Sequence, residues 1–402
     1  MTPPTTRRMI AFLNFGHALD HFVMLIYPAA VLALSVSLGK SFGELLPYAT
    51  GGFFAFGVFS MPFGWIGRRV SGHTLITIYF LGTGAGCILA GLAQTPLQIG
   101  MALTLVGLFA AIYHPIGNAM LSVIDPARVG RIMGQNGLFG NLGVASAALI
   151  TGVLTDLISW RAAFIIPGLA SLAAGIGFWM LVADPGPIRS APRKAGDRVI
   201  PRAEMIRVLA ILMISTTIGS FIFSATTALM PKLFEQRLTE LTTSLSGVGL
   251  FVFVIYAFAA IAQIVIGSLL DKHSTGRIFF TVAVLQVPFL LLTGLVGGPV
   301  TLLVALPMMF VVFGLIPINE VMTARYTAPE YRTRVYAVRY TFGFVAIAAA
   351  VPVVSYFYSN YGGFSQLFLV LAGLSVLLTG LTVAFSMIER PILAQKAQPA
   401  SA

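Results

Sequence analysis

Twelve times in 402 residues the chain runs for about twenty positions with almost no charge. A helix of about 20 apolar residues is the length that crosses the hydrocarbon core of a bilayer. Within that core a helix satisfies every backbone amide and carbonyl from its own segment. The runs fall at 9–37, 45–66, 74–94, 97–122, 132–155 and 161–183, then at 206–231, 243–270, 276–296, 299–324, 335–358 and 363–388. They predict an all-α polytopic membrane protein with twelve transmembrane helices in two six-helix bundles. A soluble chain of this length could not clothe its surface with 13 acidic residues. The single cysteine, Cys87, falls in the third run, which excludes an intrachain disulfide and a CxxC metal motif. Arg7 and Arg8 precede the first run and no small-residue cleavage site follows it, so it reads as a retained helix.

Charge predicts the orientation. With the N-terminus in the cytoplasm, 20 of the 24 Lys and Arg residues lie at cytoplasmic ends or loops, leaving only Lys40, Arg161, Lys232 and Arg237 outside. Positive residues favour the cytoplasmic side, so both termini are expected there. The net charge of +11 then reflects topology and contact with anionic lipid, and it does not argue for a nucleic-acid partner.

The second half repeats the first at an offset of 203. Pro28 meets Pro231, Gly64 meets Gly267, Gly91 meets Gly294 and Pro96 meets Pro299. Pro126 meets Pro329, Arg131 meets Arg334 and Gly140 meets Gly343. Trp160 and Phe164 pair with Phe364 and Phe368 at 204. The expected domains are an N-terminal bundle at 1–183, a basic, Pro-rich cytoplasmic linker at 184–205, and a C-terminal bundle at 206–402.

Two six-span halves with a long linker resemble the major facilitator superfamily over the whole chain. The loop after span 8 carries Gly267, Asp271 and Lys272 at that family's G-x-x-x-D-[RK] spacing. The loop after span 2 keeps Gly64 and Arg69 but has Arg68 where the family has Asp. The resemblance implies a cavity between the halves, lined by spans 1, 4, 7 and 10 and opened alternately to either side. It also implies a gating role for these loop residues. A His-Pro after an aromatic residue in span 4, with "GNLG" at 140–143, is locally similar to the fosmidomycin-resistance efflux carriers. Those carriers have an acid after the His-Pro, where Ile116 stands here. Import and export both remain open.

The polar residues inside the spans fall on the expected lining helices. Asp20 and Glu320 are the acids placed well within a span, on spans 1 and 10; His17 and His21 are on span 1 and His114 on span 4. His73 and His273 read as loop histidines satisfied by water. Asn14, His17, Asp20, His21 and Met24 recur at three-to-four spacing and share one face. At the helical rise Asp20 lies roughly 17–20 Å from Arg8, near mid-bilayer. An acid facing lipid there would cost several kcal/mol, so it is expected to face a wet cavity or a partner. Asp20, His17 and His21 are therefore the candidate proton-coupling cluster. A neutral pair locking spans 1 and 4 is the structural alternative.

Candidate substrate contacts are Asn14, Tyr113, His114, Asn118, Ser220, Ser224, Asn319, Glu320 and Arg339. Pro115 frees a carbonyl one turn earlier and predicts a kink in span 4. Arg339, flanked by Tyr336 and Tyr340, is a candidate partner for Glu320. Glycines 134, 137, 140 and 143 predict close helix packing on span 5.

The reading is a secondary active carrier in a bacterial inner (plasma) membrane, monomeric and without a cofactor, moving a small organic solute or drug with protons. A transition-metal or metal-chelate transporter using His17, Asp20, His21 and His114 is the alternative, and a lipid flippase a further one. No nucleophile elbow, P-loop or HExxH supports an enzyme.

Overall fold

A computed structural model of the chain describes residues 3–124, 129–184, 202–327 and 329–397. Most of the expected 184–205 linker, and Pro126 in the loop after span 4, lie outside the described residues. Twelve helices are long and apolar enough to cross a membrane, and no strand occurs among the described residues. Spans 1, 3, 5 and 6 are Pro3–Leu38, Gly72–Leu92, Val129–Leu157 and Ala162–Leu181. Span 2, Thr50–Ile66, follows a short turn of helix at Phe42–Leu45 and a 3₁₀ turn at Leu46–Ala49. Spans 7 to 12 are Arg202–Arg237, Leu245–Lys272, Thr275–Leu295, Val300–Tyr326, Pro329–Tyr361 and Ser365–Ala397.

Span 4 is two helices, Pro96–Ala110 and Tyr113–Ile124. The cause is Pro115, which has no N–H to give the Ala111 carbonyl. Ile112 instead donates to Phe109 at 3.1 Å, a tighter step, and the helix restarts at Tyr113.

Span 1 packs on 5, span 3 on 6, and span 4 on 2 and 3; six spans later, 7 packs on 11, 9 on 12, and 10 on 8 and 9. Spans 5 and 8, and spans 2 and 11, join the two bundles. The 203-residue offset survives as equivalent contacts. Ser71 caps span 3 through the Thr74 amide, and Ser274 caps span 9 through the Arg277 amide. A Cβ at Gly140 would fall 2.7 Å from the His17 ring, and one at Gly343 would fall 3.0 Å from Ser220 Oγ. His17 and Ser220 are repeat mates, so one seam occurs in both halves.

The end opposite the termini is where the bundles grip each other. Asp156, at the end of span 5, accepts hydrogen bonds from the Leu245 and Ser246 amides of span 8 at 3.3 and 2.7 Å. Ser355 Oγ of span 11 donates to the Gly43 carbonyl, and Phe42 stacks edge-on against Tyr358 and Phe364. About halfway along the spans, Gln263 of span 8 donates to Asn141 of span 5 at 2.9 Å.

The four basic residues that broke the charge rule also lie at this end, each with a local partner. Arg161 donates to the Gly91 and Ala93 carbonyls at 2.8 and 2.6 Å, closing the end of span 3. Arg237 donates to Thr293 at 2.6 Å and closes span 9. Orphan carbonyls at a helix C-terminus attract such cations. Lys40 and Lys232 pair with Glu44 and Glu235.

Candidate functional site

The break in span 4 turns His114 toward span 1, where His17 and His21 stand one helical turn apart. The three imidazole centroids form a near-equilateral triangle, with separations of 5.0, 5.2 and 5.3 Å. Asp20 lies beside them, 0% exposed, with Oδ2 at 3.4 Å from His114 Nε2. That approach is not aligned as a hydrogen bond; neither Asp20 oxygen, nor His114 Nε2, has a hydrogen-bond partner.

A residue that sequence reasoning passed over organises this cluster. Asn136 of span 5 takes a 2.7 Å hydrogen bond from His17 Nδ1 on its carbonyl. A carbonyl can only accept, so Nδ1 carries a proton, and in the neutral ring Nε2 is the bare nitrogen. The Asn136 side-chain amide donates to Asn14 Oδ1 at 3.0 Å and to the Tyr113 hydroxyl at 2.9 Å. Tyr113 in turn donates to the Leu13 carbonyl at 2.6 Å, and Tyr79 to Gly16 at 2.7 Å. Asn136 is a polar residue inside an apolar run, and that was the signal available for it.

The second charged group lies between spans 10 and 11. Arg339 pairs with Glu320, and the Tyr340 hydroxyl reaches the same carboxylate at 3.5 Å. The guanidinium, 4% exposed, lies over Tyr336 and Tyr340; the carboxylate, 40% exposed, is the reachable partner. Tyr336, Tyr340 and Phe344 stack one turn apart along span 11. Phe344 then meets Phe56 of span 2 at 4.7 Å and His114 at 6.0 Å. A line of rings therefore runs from the Glu320 pair to the histidine cluster.

Of the two surroundings expected for Asp20, a wet cavity or a partner, this conformation shows the partner: the side chain is fully buried within the N-terminal bundle beside His114. Several expectations need correction. Ser224 donates to the Ile347 carbonyl at 3.0 Å and Ser220 lies against Gly343, so both face the packed seam with span 11. Asn319 accepts from Ser215 at 2.8 Å, which ties it between spans 10 and 7. His73 is buried at 4% exposure and stacks on Phe178, where the sequence suggested a hydrated loop. On span 5, Gly143 and Gly140 are in close approach to span 1, whereas a Cβ at Gly134 or Gly137 would meet nothing within 4 Å.

Glu389 is a buried acid that sequence reasoning placed just beyond the last run. It accepts from the Thr275 and Gly276 amides at 2.9 and 2.8 Å and from Tyr326 at 2.6 Å. Its position in the last third of span 12, against the capped N-terminus of span 9, makes it structural.

Asn118 is half-buried, four residues beyond His114 on the same short helix. Among the loop residues, Gly64 lies 3.4 Å, as a virtual Cβ, from Pro115. Arg69 is exposed and lies over Trp65 at 4.6 Å. Gly267 has open space around it. Asp271 approaches Arg325 at 3.6 Å, and Lys272 is exposed.

Comparison with known proteins fits this architecture. The model of the Major Facilitator Superfamily matches residues 10–311 and 209–401. A puromycin resistance protein of Streptomyces alboniger is 27% identical over 132 residues, covering 32% of this chain and 26% of that protein. A multi-drug resistance efflux pump PmrA homolog of Lactococcus lactis subsp. lactis is 31% identical over 103 residues, 25% of each. The alignments thus span about a quarter of these two relatives.

Among solved structures, a bacterial homolog of the human lysosomal transporter Spinster superposes with a TM-score of 0.78 in its inward-facing, occupied form. It is 12% identical and both chains are fully covered. A POT family transporter in complex with a thioalcohol conjugated peptide gives 0.78 at 13% identity, covering 94% of this chain and 95% of the other. At such identities the likeness speaks for the fold alone. With the family model spanning nearly the whole of the twelve-helix fold, the chain belongs to the Major Facilitator Superfamily.

Proposed function

We propose that this chain is a transporter that moves a small organic solute or drug across a bacterial inner membrane by proton-coupled alternating access, working as a monomer. The bundle at 1–183 rocks against the bundle at 206–402, with the 184–205 linker and both termini in the cytoplasm. In that orientation the gripping end faces outward and the conformation described is closed to the outside. The names of the partial relatives, a resistance protein and efflux pumps, favour export.

The observation that carries proton coupling is Asp20. A carboxylate wholly inside protein is costly to keep ionised without a partner. The basic group that approaches it directly is His114, at 3.4 Å, and neither is tied into another hydrogen bond through the facing atoms. Such a pair gains or loses a proton without dismantling a network. When the bundles part, Phe56 and Phe344 separate and His114 meets water, which gives the exchange its route.

His17 and His21 complete the coupling cluster. Asn14, Tyr113 and Asn118 carry its surroundings toward the substrate path, and Glu320, presented by Arg339, is the charge offered from the second half. Gly64, Arg69, Gly267, Asp271 and Lys272 form the cytoplasmic gating loops.

The test is proton movement in inside-out vesicles with an acid interior, in buffer containing a metal chelator. Puromycin and a panel of organic solutes are added to wild type and to Asp20→Asn. Coupling through Asp20 predicts that a solute dissipates the gradient in wild type only. Equal dissipation in Asp20→Asn removes Asp20 from the mechanism.

A further inference from the structure

We propose that His17, His21 and His114, with Asp20 as fourth donor, form a binding site for a divalent transition-metal ion such as Zn²⁺ or Co²⁺. One ligand atom from each histidine lies within 4.8 Å of the others. In a four-coordinate site with metal–nitrogen bonds of about 2.0–2.1 Å, donors stand about 3.3 Å apart. Side-chain adjustments of roughly 1.5 Å or less therefore close the triad on an ion.

Three further features point to a cation. First, Asp20 Oδ1, Asp20 Oδ2 and His114 Nε2 are all buried without a hydrogen bond. Buried polar atoms are nearly always paired, and an ion between them satisfies His114 Nε2 and one Asp20 oxygen together. Second, His17 is oriented in the manner of a metal ligand: its Nδ1–H is held by the Asn136 carbonyl, which leaves Nε2 of the neutral ring bare. Asn136 is itself fixed by Tyr113 and Asn14. Third, Gly140 lets span 5 lie directly against the His17 imidazole and hold it in place, since a Cβ there would come within 2.7 Å of the ring.

The donor set selects the ion. Three imidazoles and one carboxylate suit Zn²⁺, Co²⁺, Ni²⁺ or Fe²⁺, whereas Mg²⁺ and Ca²⁺ require mostly oxygen ligands. The carboxylate also supplies negative charge that three neutral imidazoles lack. Occupancy ties span 1 to span 4 through the residues of the coupling cluster, so the bound ion blocks solute-driven proton flux. That consequence rests on the coupling role of Asp20; the binding does not.

The experiment titrates Co²⁺ into full-length, tag-free carrier in detergent after chelator stripping, read by equilibrium dialysis and by the visible absorption of four-coordinate cobalt. Wild type and the loop control His273→Ala are expected to bind one Co²⁺ per chain, displaced by Zn²⁺ and not by Mg²⁺. His17→Ala and His114→Ala are expected to weaken binding at least tenfold. His21→Cys retains a donor and should add a thiolate–cobalt charge-transfer band, a signal that no purely structural role produces. Absence of stoichiometric binding in wild type overturns the site, as does binding that survives both alanine variants. A folded His21→Cys that binds Co²⁺ without the new band removes His21 from the ligand set. Proton flux in chelator-containing vesicles separates the two ideas. Flux through Asp20 with no cobalt site leaves the carrier reading intact, and a cobalt site with Asp20-independent flux leaves the metal site intact.

Discussion

Asp156 gives the sharpest handle on the equilibrium between conformations. Its carboxylate belongs to one bundle and the Leu245 and Ser246 amides to the other, so opening this end must break both bonds. A hydrogen bond to a charged group contributes about 1.5–3 kcal/mol when sheltered. Here the group is exposed and one of the two distances is long, so solvent screening reduces the pair to about 1–2 kcal/mol together. At 1.4 kcal/mol per factor of ten, Asp156→Ala should raise the open-to-closed ratio at this end roughly 5–30-fold. Asp156→Asn keeps an acceptor but not the charge, and should shift it only about 2–4-fold. Pulsed electron–electron distance measurements read this directly, with spin labels at Leu97→Cys and Leu295→Cys in a Cys87→Ser background. Both label sites are well exposed and lie at the gripping end, one on each bundle. The reasoning fails if the distance distribution of Asp156→Ala matches wild type, or if the asparagine shifts it further than the alanine does.

Other expectations concern the scaffold. Glu389→Ala leaves two amides of span 9 and the Tyr326 hydroxyl buried and unpaired, and should cost about 3 kcal/mol or more. Asp271→Ala, which breaks a pair whose side chains are 80% and 42% exposed, should cost under about 1 kcal/mol. Thermal unfolding in detergent ranks the two, and equal melting temperatures would refute the structural assignment of Glu389. Gly143→Ala would drive a methyl to within 2.0 Å of the Ala18 carbonyl and pry span 1 from span 5. It should sharply lower the yield of monodisperse protein in size-exclusion chromatography, whereas Gly137→Ala should leave the yield unchanged.

The sequence made legible what depends on length, period and repetition. The twelve spans, the Pro115 break and the paired halves follow from bilayer thickness, a missing amide and a constant offset. The Glu320–Arg339 pair was reachable because few charges are buried and so few partners exist. What stayed hidden depends on which neighbour a face meets. Ser220 and Ser224 share the helical stripe expected of cavity residues, yet that stripe meets span 11. His73 sits beside arginines in sequence, but the fold turns it inward onto Phe178. Asn136 carried no spacing signal, since it acts through its backbone carbonyl as much as through its side chain. Arg161 and Arg237 broke a statistical rule because helix-end carbonyls hold them more specifically than the membrane field does.

The matched seam at Gly140–His17 and Gly343–Ser220 separates shape from charge. Each copy keeps a notch where two helices nearly touch, and only the group filling the notch differs. The close contact is therefore common to both halves, whatever stands in it. A duplicated chain can spend one copy on mechanics and write ion chemistry into the other. Grafting a histidine at Ser220 would ask whether the second notch still accepts the inscription of the first.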